Sequence, residues 1–124
     1  MLQLSRAFSG LSVDNLDKAR TFYGDVLGLK VKSNPMDLLE LDTEDNSPII
    51  IYPKFNHTPA TFTVLNFPVD DIEEAVGESE RGISFEKYTG SISTDEKGIC
   101  RSEHGPDIAW IRDPAGNILS VLAE

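Results

Sequence analysis

The chain has 124 residues, 40% hydrophobic and 26% charged, with a net charge of −10. That is the composition of one globular domain with a core large enough to need no disulfide or structural metal. The acidity argues against nucleic acid and against anionic membranes as partners, since both require basic clusters.

Taken in order, residues 6–13 read as a strand carrying Phe8, Leu11 and Val13. Asp14 or Asn15 is the expected helix N-cap. Leu16, Ala19, Phe22, Tyr23, Val26 and Leu27 then recur at helical spacing, and Gly28 ends the helix. Leu29–Lys32, Leu38–Leu41 and Ile49–Tyr52 read as strands, with Asn34-Pro35 as a turn and Pro53 at the last strand's end.

After a linker over 54–60, residues 61–69 read as a strand and Asp70 as the cap of a second helix carrying Ile72, Ala75 and Val76. Gly82 is the expected stop. Ile83–Tyr88 reads as a strand, 89–98 as a polar stretch without a clear assignment, and 99–104 as a possible strand extension. Ile108–Ile111 and Ile118–Leu122 are strands joined by the tight turn Asp113-Pro114-Ala115-Gly116-Asn117.

One stretch occurs twice. Val13-Asp14-Asn15-Leu16-Asp17-Lys18-Ala19 is answered by Val69-Asp70-Asp71-Ile72-Glu73-Glu74-Ala75, 56 residues later, and the register extends back to pair Phe8 with Val64 and Leu11 with Phe67. A repeat near half-length predicts two copies of one supersecondary unit, here βαβββ over about 6–53 and 61–123 within a single domain, 1–124. A groove between two such units is a natural ligand site.

With these motifs, joined by Phe22-Tyr23, Val26-Leu27-Gly28-Leu29 and Phe67-Pro68, the chain resembles the vicinal oxygen chelate superfamily, which includes glyoxalase I, extradiol dioxygenases and bleomycin-binding proteins. The resemblance implies an α+β fold of two βαβββ modules whose sheets form an open cupped cleft. It also implies a homodimer. Metal-dependent members hold a divalent ion with His, Gln or Glu from the first and fourth strands of each module. Carried over, those positions are Phe8, Ile51, Val64 and Ser120. An alkyl or phenyl side chain offers a metal no lone pair, and Ser120 is a single neutral hydroxyl. The expectation is therefore a fold kept without the metal centre: no metal, no cofactor, and metal-dependent glyoxalase or dioxygenase activity disfavoured.

The resemblance also places Trp110 in the cleft, against the plainer reading of a core tryptophan. Phe8, Ile51, Val64 and Trp110, with Ser120 and Arg112 as polar handles, would then line an apolar, aromatic-walled cleft suited to a small organic molecule held by burial and stacking. The acidic charge suits a cationic guest, although solubility explains it equally well.

No catalytic residue is assigned. His57 and His104, the only histidines, read as surface-loop residues, and Cys100, the only cysteine, as a free thiol in a reducing cytoplasm. Asp70-Asp71 and Glu73-Glu74 sit where a helix dipole favours acids. Met1–Arg6 lacks a signal peptide's apolar run, and no stretch reaches membrane-spanning length. The expected function is metal-independent binding of a small molecule. The alternative is a glyoxalase- or dioxygenase-like enzyme (lyase, isomerase or oxygenase) with an unrecognised or metal-free site.

Overall fold

The computed structural model describes residues 1–79 and 83–123, which form two units, Met1–Thr58 and Pro59–Glu124. The first unit begins with a single 3-10 turn at Leu4–Arg6, followed by β1 (Gly10–Val13), α1 (Leu16–Arg20), β2 (Val31–Ser33), β3 (Leu39–Leu41) and β4 (Ile49–Pro53). The second contains β5 (Thr63–Val69), α2 (Ile72–Ser79), β6 (Ile99–Cys100), β7 (Ile108–Arg112) and β8 (Ile118–Ala123). Each unit carries one four-stranded mixed sheet, in the orders β1-β4-β3-β2 and β5-β8-β7-β6.

The strand registers show that the two sheets are copies. Gly10 pairs with Ile50 and Val13 with Pro53 in the parallel pair β1–β4; Asn66 pairs with Ser120 and Val69 with Ala123 in β5–β8. Glu40 faces Ile50 as Trp110 faces Ser120. The 56-residue sequence repeat is therefore a repeat of hydrogen-bonded architecture.

Helix starts follow the same register. The Asn15 side chain accepts from the Lys18 amide at 3.0 Å. Its counterpart is Asp71, whose Oδ1 accepts from the amides of Glu73 and Glu74 at 3.0 and 3.2 Å. The cap of α2 is thus Asp71, one residue beyond the expected Asp70, because the helix begins at Ile72 and only a side chain immediately before it reaches the free amides. The helix stop expected at Gly82 lies outside the described residues. In the first unit α1 runs on into a π-helical stretch, Thr21–Val26, where the Leu27 amide donates to the Phe22 carbonyl. Phe22 and Tyr23 are consecutive yet both buried, with rings edge to face at 5.1 Å. Gly28 takes φ +72° after it, as expected of a helix end.

The core faces are set by strand alternation. Leu11, Val13, Leu39, Leu41 and Ile51 are buried in the first unit together with Ala19, Phe22 and Tyr23 of the helix. In the second unit Ile72 and Val76 of α2 pack on Ile99 and Ala109, with Val69, Phe85 and Ala123 around them.

The strand expected over Ile83–Tyr88 is reduced to one bridge, Phe85 to Ile111. Its continuation is β6, where Ile99 pairs with Ala109. In the first unit the same two steps are taken by Val31 and Ser33, which pair with Leu41 and Leu39. The second unit therefore inserts residues 86–98 into the middle of its second strand, which explains why 89–98 carries no strand pattern.

Three turns share one hydrogen-bond scheme. Asn34, Asp95 and Asp113 each accept with Oδ1 from the amides two and four residues on, at 2.8–3.0 Å. In each, the residue three positions on has positive φ: Asp37 at 60°, Gly98 at 88° and Gly116 at 86°. Asp113 also accepts from the Asn117 side-chain amide at 2.9 Å, and both residues are buried. The Asp113–Asn117 turn is as expected from sequence. The Asp95 turn, which returns the chain to β6, went unread.

Candidate functional site

The face of the second sheet turned away from α2 follows from the register. Ala109 packs on α2, so Trp110 and its cross-strand partner Ser120 face the other way, with Asn66 paired to Ser120. Ser120 is 1% exposed, and its hydroxyl donates to Asn66 Oδ1 at 2.6 Å. The next row on this face is Arg112, Ile118 and Thr63.

A cavity of about 450 Å³ lies here, lined by Thr61, Phe62, Thr63, Tyr88, Thr89, Ser91, Ile92, Trp110 and Ile118. Tyr88 and Trp110 form one corner, with ring centroids 5.6 Å apart and planes at 73°. Phe62 and Ile92 are exposed apolar side chains at its mouth. Much of the wall comes from the inserted segment. That segment is closed at its neck by two hydrogen bonds: the Tyr88 amide to Thr94 Oγ1 at 2.8 Å, and the Thr94 amide to the Tyr88 carbonyl at 3.0 Å.

The six residues expected to line a cleft are distributed unevenly. Phe8 and Ile51 belong to the first unit, and Val64, Trp110, Arg112 and Ser120 to the second. Trp110 lines the cavity and Ser120 is its cross-strand neighbour. Ile51 is 0% exposed and pairs with Leu11 and Leu39, on the core side of its sheet. The register counterpart of Ser120 is Ile50, so the sequence placement of this position was off by one, and one residue reverses the face of a strand. Val64 sits at a register irregularity between Thr63 and Leu65. The extra residue puts Thr63 on the cavity side opposite Ile118.

Phe8 precedes β1, is 66% exposed and lines a separate cavity of about 380 Å³ with Leu4, Asn46 and Ile49. Arg112 is exposed, ion-paired through Nε with Glu86, and donates to the Gly116 carbonyl at 3.2 Å.

Asn66, Tyr88, Phe62 and Thr63 were missed. Asn66 was within reach, since the repeat sets it against Gly10. Tyr88 reads as the last residue of a strand, whereas the pairing among the described residues of that stretch stops at Phe85.

The donor set does not fit the divalent metal that the fold resemblance implies. On the face away from its helix, the first sheet's central pair is Gly10 and Ile50, which offer no side-chain donor atom, and the second sheet's is Asn66 and Ser120, two neutral groups joined by the hydrogen bond from the Ser120 hydroxyl to Asn66 Oδ1. Among the described residues no group of three or more His, Cys, Asp or Glu is placed to hold a metal ion.

Neither histidine is among the residues that line this cavity. His57 Nδ1 lies 2.7 Å from Ser12 Oγ in the first unit. The His104 amide donates to Ser102 Oγ at 3.3 Å in an exposed turn. Cys100 is a half-buried free thiol.

Charge is organised elsewhere in the second unit. Arg101 pairs with Glu73, Asp95 and Asp107, and Lys97 with Glu73 at 2.9 Å. The side-chain hydrogen bonds from Lys97 and Arg101 hold the Glu73 carboxyl below its ordinary range, and Glu73 raises both cations. Asp95 is lowered mainly by the Ile99 amide of its turn. This network ties α2, the inserted segment's return and the β6–β7 turn together. Among the described residues no helix is long and apolar enough to cross a membrane.

No protein-family model and no curated protein matches the chain. Solved structures do. A member of the glyoxalase/bleomycin resistance protein/dioxygenase superfamily from Sphaerobacter thermophilus superposes with TM-score 0.68 at 20% identity, covering 95% of this chain and 97% of that one. A lactoylglutathione lyase from Agrobacterium tumefaciens gives 0.67 at 24% identity over 98% and 94%. TnmS3, an antibiotic-binding protein from a Streptomyces species, gives 0.68 at 16% identity over 99% and 96%. These likenesses run the length of the chain and agree with the duplicated registers: the protein has the α+β fold of the glyoxalase/bleomycin resistance/dioxygenase superfamily.

Proposed function

We propose that the protein binds a small organic molecule in the second unit's cavity and does so without a metal. The observation that carries this reading is the Trp110–Tyr88 corner beside a cavity of ligand size. Two aromatic walls supply stacking area at little conformational cost. The occupation of the central face positions by Gly10, Ile50, Asn66 and Ser120 supports the metal-free part. The structural likeness to an antibiotic-binding protein supports sequestration as the biological use. On this reading the protein works as a homodimer in the cytoplasm, and sedimentation of the intact chain checks the first of these.

The test is metal analysis of protein purified without chelator, together with a thermal-shift screen of aromatic compounds with and without EDTA. Metal well below one ion per chain, and stabilising compounds whose effect survives EDTA, are expected. One tightly held divalent ion per chain, whose removal abolishes binding, would overturn the reading.

A second reading, an enzyme acting without metal, is favoured by the Ser12–His57 hydrogen bond, since an imidazole beside a hydroxyl is the arrangement that activates it. The likeness to a lactoylglutathione lyase points the same way. Turnover of any substrate that is lost in Ser12→Ala would establish it. Turnover unaffected by that substitution would remove its support.

A further inference from the structure

Resting on the cavity reading above, the lining narrows the ligand. Its walls are the rings of Trp110, Tyr88 and Phe62, and its polar groups include the hydroxyls of Thr63, Thr89 and Ser91. None of the described residues lining it is charged. Of the charges on neighbouring positions, Arg112 and Glu86 are paired with each other, and Lys87, next to Tyr88, is exposed and does not line the cavity.

A charged group laid against these walls loses hydration on the side that they cover and finds no counter-ion among the lining residues to restore the loss. The chain's net charge of −10 does not reverse this. Fields from distant surface charges are screened beyond a Debye length of about 8 Å at physiological salt. Hydroxyls both donate and accept, so they can meet phenol, carbonyl or amide groups on a ring edge alike.

We propose that the cavity selects an uncharged aromatic ligand with hydrogen-bonding groups on its ring edge, and that the inserted segment 86–98 makes the selection. Tyr88, Thr89, Ser91 and Ile92 all come from that segment. Where the second unit carries it, the first unit has Lys32 alone between Val31 and Ser33, and so has no counterpart to this wall. The neck bonds between Tyr88 and Thr94 and the Asp95 turn behind them hold the wall in place without any contribution from the ligand.

The experiment is calorimetric titration of the intact protein at neutral pH with three probes built on one ring system: 2-naphthol, 2-naphthoate and N,N,N-trimethyl-2-naphthylammonium. The neutral naphthol is expected to bind at least tenfold more tightly than either ion. Tightest binding of the ammonium would mean that the acidic field governs, and tightest binding of the naphthoate that Arg112 leaves its partner; either overturns the selection while leaving a binding cavity in place. Binding of none of the three overturns the cavity reading as well. Ile92→Ser, at an exposed position, is expected to weaken naphthol several-fold with no change in the unfolding midpoint. Unchanged affinity in that variant would overturn the role of the inserted segment.

Discussion

Gly98→Ala is the sharpest stability test of the inserted segment. Gly98 has φ +88°, and a Cβ there would lie 2.9 Å from Phe85 Cβ and 3.1 Å from the Glu86 carbonyl oxygen. The left-handed backbone alone costs a non-glycine residue about 1–2 kcal/mol. The overlap is with the first atoms of a packed side chain and with backbone, which cannot swing aside, and adds about 1–2 kcal/mol. A loss of about 3 kcal/mol follows, a large part of the ~5–15 kcal/mol that holds an ordinary domain folded.

Urea unfolding followed by the fluorescence of Trp110, the only tryptophan, reports on the second unit. The control is Gly77→Ala in α2, where an added Cβ meets nothing within 4 Å. It should gain about 0.5–1 kcal/mol from helix propensity. A Gly98→Ala variant within about 0.5 kcal/mol of the parent would refute the geometry assigned to the segment's return.

Further outcomes follow from the same contacts. Asp113→Ala removes the acceptor for two amides and for the buried Asn117 side chain, and should cost about 2–4 kcal/mol in urea unfolding; a loss below about 1 kcal/mol would contradict the turn. Ser120→Ala takes the donor from Asn66 Oδ1 and should cost about 1 kcal/mol, with an unchanged midpoint counting against the pair. Glu73 and Asp95 have lowered pKa values in the fold, so their contribution is complete above the ordinary carboxylate range and is lost as pH falls through the folded values. Unfolding free energy should therefore drop on acidification, less steeply in Glu73→Gln and at high salt. An equal slope in parent and variant would rule out the Arg101–Lys97 network as the cause.

Sequence reasoning reached the duplicated unit because its signal is redundant. Helix caps, apolar periodicity and turn residues recur together at one spacing, and the paired registers Gly10–Ile50 and Asn66–Ser120 reproduce it. The site was less legible, for two physical reasons. Facing in a strand reverses with one residue, so Ile51 was taken for the position that Ile50 holds, and the irregularity at Val64 gave Thr63 the cavity side. The cavity wall, in turn, comes from an insertion whose shape is set by hydrogen bonds between Tyr88, Thr94 and Asp95. Such pairings carry no apolar period, so the stretch read only as polar. Trp110, which the family resemblance puts in a cleft three residues before the Asp113 turn, lines the second unit's cavity.

Amide chemical-shift mapping of the isotope-labelled protein with 2-naphthol addresses the cavity directly. Shifts should concentrate at 61–63, 88–92 and the Trp110 indole, and saturate together. Shifts gathered instead around Leu4, Phe8 and Ile49 of the first unit, or scattered without saturation, would contradict the assignment of ligand binding to the Trp110 cavity.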